Sequence, residues 1–249
     1  MFLNVRQPPF DDIRVRRAVN LAVDRAKLVE LYGGPQVAAP TCQIVPPAFS
    51  GFAPYCPCTA NPSRGGGWTA PDLERARGLV AASGRAGAPV TVDVGADVLG
   101  RPGPYFVSLL RDLGFRARLR VTPADVDYFG EIGRPGSRKQ MGVFGWAADY
   151  LSASILLDAP FACRARGDAR TANVSHLCDT GLDAAIRKAR AAAPEDAPAA
   201  WAAVDRRVVN LAPVVPLVNG RLSVFVSKRV GNVTSHPTYQ TLLDQMWVR

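Results

Sequence analysis

Apolar and polar positions along this chain follow two rhythms, one of about 3.6 residues and one of two, which exchange places repeatedly. Phe2-Leu3-Asn4-Val5 is a short apolar run halted by Pro8-Pro9. Asp11 or Asp12 follows where an N-cap is wanted. Val15, Ala18, Val19, Ala22, Ala26 and Val29 then recur at helical spacing, with Arg14, Arg16, Arg17, Asp24 and Arg25 on the other face. This predicts one amphipathic helix reaching the stop at Gly33-Gly34. Residues 35–68, rich in proline and closed by Gly65-Gly66-Gly67, are irregular. Thr69 reads as the next cap, with Pro71 in the first turn and Asp72 completing a capping box. The helix behind it buries Leu73, Ala76, Leu79 and Val80 and ends at Ser83-Gly84.

Val90 to Val94 alternates as a strand, Tyr105 to Leu113 is helical up to Gly114, and Phe115 to Val121 alternates strictly. A short helix from Ala124 to Ile132 and a strand from Gln140 to Trp146 follow. This order predicts an α/β unit around a largely parallel sheet. Leu151 to Cys178 reads as loop-like, with possible short helices. Asp179 to Ala192 and Glu195 to Leu211 read as a helical hairpin broken at Pro194. Val214–Val218 and Leu222–Val226 read as strands turning at Asn219-Gly220, and the apolar tail Leu242–Val248 requires a packing partner.

At 249 residues and 48% apolar content the chain is long enough for a sizeable core. No run approaches the roughly 18 apolar residues of a membrane span. Met1 to Arg6 lacks the apolar stretch of a signal peptide, so an export signal would lie outside this sequence. The net charge of +9 raises a nucleic-acid reading. Four of the 30 basic residues are lysines, leaving 26 arginines, spread along the chain and often beside acids. Tight basic clusters with interleaved aromatics are missing, which argues against a nucleic-acid partner.

Cys42, Cys56, Cys58, Cys163 and Cys178 lack zinc-site spacing, and His176 and His236 are far apart, so no metal is expected. Two local disulfides, Cys42–Cys56 and Cys163–Cys178, are the better reading, with Cys58 an alternative partner for Cys42. Bridges imply an oxidising compartment. Neither histidine lies near a nucleophile elbow, and the glycine triplet lacks the Lys-Ser/Thr of a phosphate loop. Neither catalysis nor a cofactor is expected. Helix capping accounts for Asp11-Asp12 without a metal.

The wording of Asn4–Arg25, NVRQPPFDDIRVRRAVNLAVDR, resembles the interdomain crossing of the family 5 extracellular solute-binding proteins of ABC importers, which include the oligopeptide- and dipeptide-binding proteins. LERARGLVAASG at Leu73–Gly84, NLAPVVPL at Asn210–Leu217, Arg229–Asn232 and the closing Trp247-Val248-Arg249 resemble later segments of that family. The resemblance implies a class II periplasmic-binding-protein architecture, of which this chain is the C-terminal part. Residues 1–10 would be a crossing strand, 11–213 the second solute-binding lobe, and 214–249 the return to a first lobe missing here. Without that lobe, apolar edges near Phe2–Val5 and Val214–Val226 are expected to lie exposed, with weak or no ligand binding and self-association.

By the same resemblance, Gly145-Trp146-Ala147-Ala148-Asp149-Tyr150 is similar to the family's W-x-x-D-Y segment. Asp149 would pair with a ligand's α-ammonium, the backbone at Gly145 and Ala147 would bond an extended peptide, and Trp146 would wall the pocket. Tyr128, Tyr150 and Asn173 are further pocket candidates. Some relatives carry an arginine six residues before the acid, where this chain has Val143. The implied function is substrate binding for an ABC importer, with a peptide or small solute as ligand, membrane permease subunits as partners and an extracytoplasmic location. A sensor module fused to a regulatory protein, which would place it in the cytoplasm, is the alternative. A hydrolytic α/β enzyme is the third reading.

Overall fold

The computed structural model describes residues 1–167, 172–221, 224–236 and 239–249. Its first strand, β1 (Phe2–Leu3), leads to α1 (Ile13–Ala22), which Asp12 caps by accepting the Arg14 N–H at 2.8 Å. Asp11 instead pairs with Arg85 at 2.8 Å. The single helix expected here is two. Val23 turns extended, and Asp24 caps a second helix, α2 (Arg25–Tyr32), by accepting from the Lys27 N–H at 3.0 Å. The predicted stripe does not carry across the break: Ala26 is exposed, and Arg25, expected on the polar face, is buried. Gly33, at φ 117°, closes α2 in the left-handed region open to glycine.

Next come β2 (Ala38–Pro40) and α3 (Leu73–Ser83). Asp72, not Thr69, is the α3 cap, accepting from Arg75 N–H at 3.0 Å. Thr69 is occupied elsewhere, its N–H donating to Thr59 Oγ1 at 2.8 Å. Then β3 (Pro89–Gly95), α4 (Gly103–Asp112), β4 (Arg116–Thr122), α5 (Tyr128–Ile132) and β5 (Met141–Gly142) follow. The expected strand at Gln140–Trp146 shrinks to these two residues because its partners β3 and β1 offer a pairing register only there. In the loop-like stretch a short helix forms, α6 (Ala153–Leu157). The helical hairpin forms as α7 (Thr180–Ala191) and α8 (Ala197–Leu211).

The last strands are β6 (Val218–Gly220), β7 (Val230–Gly231), β8 (Ser235–His236), β9 (Gln240–Thr241) and β10 (Trp247–Val248). Asn219-Gly220 does not turn a hairpin. It belongs to β6, which pairs antiparallel with β2 and sets Gly220 opposite Ala38. Within the expected second strand, Leu222 and Ser223 lie outside the described residues, and 224–226 are not in a strand. The apolar tail finds its partner in β7, with Trp247 opposite Gly231.

The main sheet runs β1-β5-β3-β4, with β3 parallel to both β4 and β5 and β1 antiparallel to β5. Leu3, Val90, Val92, Val94 and Met141 join the layer formed with α1, α3 and α4. Phe2 joins the other layer, with Leu157, Leu182, Ile186, Val204 and Val208. Neighbouring strand residues face opposite ways, so the two-residue β1 reaches both cores. Phe2, Leu3 and Val214–Leu217 are buried, contrary to the expectation of exposed edges there. Each segment covers the other: Leu3 N–H donates to Pro213 O at 2.9 Å and Val215 N–H to Met1 O at 2.7 Å. Only the far end of the expected second edge is exposed, with Val224 at 48% and Phe225 at 96%, and beyond it Tyr239, Leu243 and Val248 are exposed too. Both expected disulfides form, Cys42–Cys56 and Cys163–Cys178, and Cys58 is a buried free thiol.

Candidate functional site

Parallel strands deliver their carboxyl ends to one side of a sheet, and ligand sites of α/β proteins gather there. Here β5 runs out through Val143 to Trp146, tied back to β3 by the Val143 N–H donating to Asp93 O at 3.2 Å. Leu99 follows β3 on the same side. A cavity of about 570 Å³ opens against both, within the size range of small-ligand sites. Leu99, Phe144, Gly145 and Trp146 form one wall, Leu156 and Phe161 a second, and the 41–46 loop with 214–220 the rest. Gly145 packs tightly, since a Cβ there would lie 3.2 Å from Leu99 Cδ1.

Two buried charged residues hold the far walls. Asp205, 1% exposed on α8, accepts from Gln43 Nε2 at 3.0 Å, Ile44 N–H at 3.0 Å and Val45 N–H at 3.2 Å. Burial pushes its carboxyl above the usual aspartate range, and these three donors oppose the shift. Arg25, wholly buried, donates Nε to Thr41 O at 2.7 Å and to Pro216 O at 3.0 Å, so one guanidinium joins two walls. Tyr32 closes the mouth with its hydroxyl on Leu99 O at 3.2 Å, and burial, with Asp97 adding, pushes its phenol up to about 12. Sequence reasoning missed Tyr32, Gln43, Arg25 and Asp205. Asp205 could have been found as an acid on the apolar stripe of its helix, one residue from Val204.

Of the residues expected from sequence, Gly145 and Trp146 line the cavity. Ala147, Asp149 and Tyr150 continue from them on an exposed segment, and Asp149 makes no hydrogen bond or ion pair with the described residues. Tyr150 borders a second, polar cavity of about 480 Å³ with Ser152, Ser154, Asp158, Arg164 and Arg190. There Asp158 pairs with Arg164 at 2.7 Å and Arg190 at 3.5 Å. Tyr128 and Asn173 are core residues. Tyr128 donates its hydroxyl to Asp93 O at 2.9 Å, and Asn173 its amide to Leu177 O at 2.8 Å. The arrangement offers an apolar hollow, a glycine-opened backbone edge and one open carboxylate beyond the rim.

The description "Bacterial extracellular solute-binding proteins, family 5 Middle" matches residues 1–168. A probable di/tripeptide-binding protein 5 of Pseudomonas aeruginosa is 27% identical over 201 residues, covering 78% of this chain and 35% of that protein. Among solved structures, clavulanic acid biosynthesis oligopeptide binding protein 2 superposes with a TM-score of 0.84 at 23% identity, covering 99% of this chain and 45% of the other. A dipeptide-binding protein from Pseudoalteromonas sp. SM9913, solved with Met-Leu, gives 0.78 at 20% identity, covering 100% and 47%. The fold is that of class II periplasmic peptide-binding proteins, and the chain spans a third to a half of the length of these relatives. It belongs to the family 5 bacterial extracellular solute-binding proteins.

Proposed function

We propose that this chain supplies one side of the ligand cleft of an ABC-importer substrate-binding protein, taking peptides or similar small solutes. The observation that carries the reading is the cavity at the carboxyl ends of β3 and β5, walled by Gly145 and Trp146, with Asp149 open just beyond it. An extended peptide has an unpaired backbone edge and a terminal ammonium. The first suits the strand-like backbone leaving β5, and the second suits a lone carboxylate. The relatives that bind di-, tri- and oligopeptides support the ligand class. The family name and the two disulfides support an extracytoplasmic location. No described helix is long and apolar enough to cross a membrane. Membrane permease subunits would then be the partners, and binding rather than catalysis the task.

Trp146 sits half-exposed at the rim and reports occupancy by fluorescence. Di- and tripeptides with a free amino terminus are expected to change its emission at concentrations at least about tenfold below those needed for N-acetylated counterparts, one lost charge-assisted contact being worth roughly 1.5–3 kcal/mol. Asp149→Asn should erase that difference. Equal response to free and acetylated peptides overturns the proposal.

A further inference from the structure

Three cysteines and one arginine form a buried cluster that ligand binding does not use. The sulfurs of Cys42, Cys56 and Cys58 all lie within 4.8 Å of one another, and each residue is less than a tenth exposed. Cys42 is bonded to Cys56, and Cys58 is free. Arg25 places Nη2 3.5 Å from the Cys58 sulfur. Its other described hydrogen bonds go to the carbonyls of Thr41, Pro216, Asn20 and Val23. Among the described hydrogen-bond partners of this buried cation, a sulfur is therefore the one atom able to carry a full negative charge. A metal ion fits poorly here, since it would face the guanidinium while two of the three sulfurs are spent on each other.

We propose that the cluster is a thiol–disulfide exchange site in which Cys58 and Cys56 alternate as the partner of Cys42. The Cys58 thiolate attacks the Cys42 sulfur, the Cys42–Cys56 bond breaks as the Cys42–Cys58 bond forms, and Cys56 leaves as a thiolate. Cys56 takes up the proton that Cys58 gave up, so nothing is oxidised or reduced overall. Arg25 supplies the positive charge beside the sulfur that bears the electron pair during the transfer. Gln43, Ile44 and Pro46, which line the apolar cavity, lie in the loop that the bond closes. Exchange therefore gives that wall two covalent registers.

The wild-type chain, equilibrated from mildly acidic to mildly alkaline pH, quenched into mildly acidic denaturant with excess N-ethylmaleimide so that buried thiols are labelled, and digested without reductant, should yield two species by mass spectrometry. One carries Cys42–Cys56 with labelled Cys58, the other Cys42–Cys58 with labelled Cys56, while Cys163–Cys178 stays single throughout as the internal control. Cys56→Ser should form Cys42–Cys58 in nearly every molecule while keeping the wild-type circular dichroism. A single Cys42–Cys56 linkage at every pH overturns the proposal, as does a folded Cys56→Ser chain with two free thiols. Should that variant fail to fold, the wild-type map decides alone.

Discussion

Gln43 donates its side-chain amide to Asp205 at 3.0 Å across 162 residues of sequence, and the N–H groups of Ile44 and Val45 converge on the same carboxylate. The cavity loop is thereby pinned to α8. Asparagine at 205 would turn one acceptor into a donor facing another donor. Asp205→Asn is predicted to cost about 2 kcal/mol, lowering the thermal midpoint by roughly 5 °C for a chain of this size. An unchanged midpoint would show that the loop is held by other means.

The same carboxylate predicts a pH effect. Burial raises its folded-state pKa above the unfolded value, so the folded chain holds this proton to higher pH. Its contribution to stability is therefore most favourable below the usual aspartate pKa and declines as pH rises through the raised folded value. Denaturant midpoints taken across the acidic range should show this downward component in wild type. Asp205→Asn should lack it, and parallel profiles for the two proteins would contradict the assignment.

At Gly142 the restriction is space. A Cβ there would meet Tyr128 Oη at 2.5 Å, Asp93 O at 2.6 Å and Phe2 Cε1 at 2.8 Å. All three neighbours belong to the sheet or to α5. Gly142→Ala is predicted to destabilise the chain by about 3 kcal/mol, the upper range for overpacking a core. Urea denaturation measures it, and a loss below about 0.5 kcal/mol, the size of ordinary surface changes, would refute the crowding.

Arg16 joins the first helix to the end of α8. Its Nη1 donates to Phe10 O at 2.8 Å and its Nη2 to Leu211 O at 2.9 Å. Methionine can fill the volume but leaves these carbonyls without donors. Arg16→Met should lose roughly 2–3 kcal/mol, and it should raise hydrogen exchange at the last turn of α8 more than at α4, which the bond does not touch. Uniform exchange would place the effect elsewhere.

The Cys163–Cys178 bridge closes a segment with a sequence separation of 15. Replacing both cysteines with serine should cost about 3 kcal/mol, the chain-entropy value for such a loop, read as a lower denaturant midpoint. A double-serine variant as stable as wild type would mean that the hydrogen bonds around Asn173 hold this loop alone.

Most elements with strong periodicity were legible in the sequence. The α3 stripe, the β3 alternation, the α7–α8 pair and the local disulfides stand where residue pattern and spacing place them, while β4 forms at the sheet edge with Leu119 and Val121 exposed rather than half-buried. The failures share one cause, that short elements take their form from distant partners. Nothing near Val218–Gly220 announces pairing with Ala38–Pro40, and Asn219-Gly220 by itself favours a turn. Asp24 was visible as a possible cap, yet continuous apolar spacing hid the break before it. At the cavity, the resemblance pointed to Gly145 and Trp146, and both line it. Arg25 looks like a surface charge in sequence, and its burial follows only from tertiary hydrogen bonding.

The five-residue α6 and the turn after it are a partition with different rooms on its two sides. Leu156 and Phe161 face the apolar chamber, while Ile155 and Asp158 face the polar one beside Arg164 and Arg190. One short segment therefore bounds both compartments, so a substitution that moves it changes the shape of the greasy side and the charged side together.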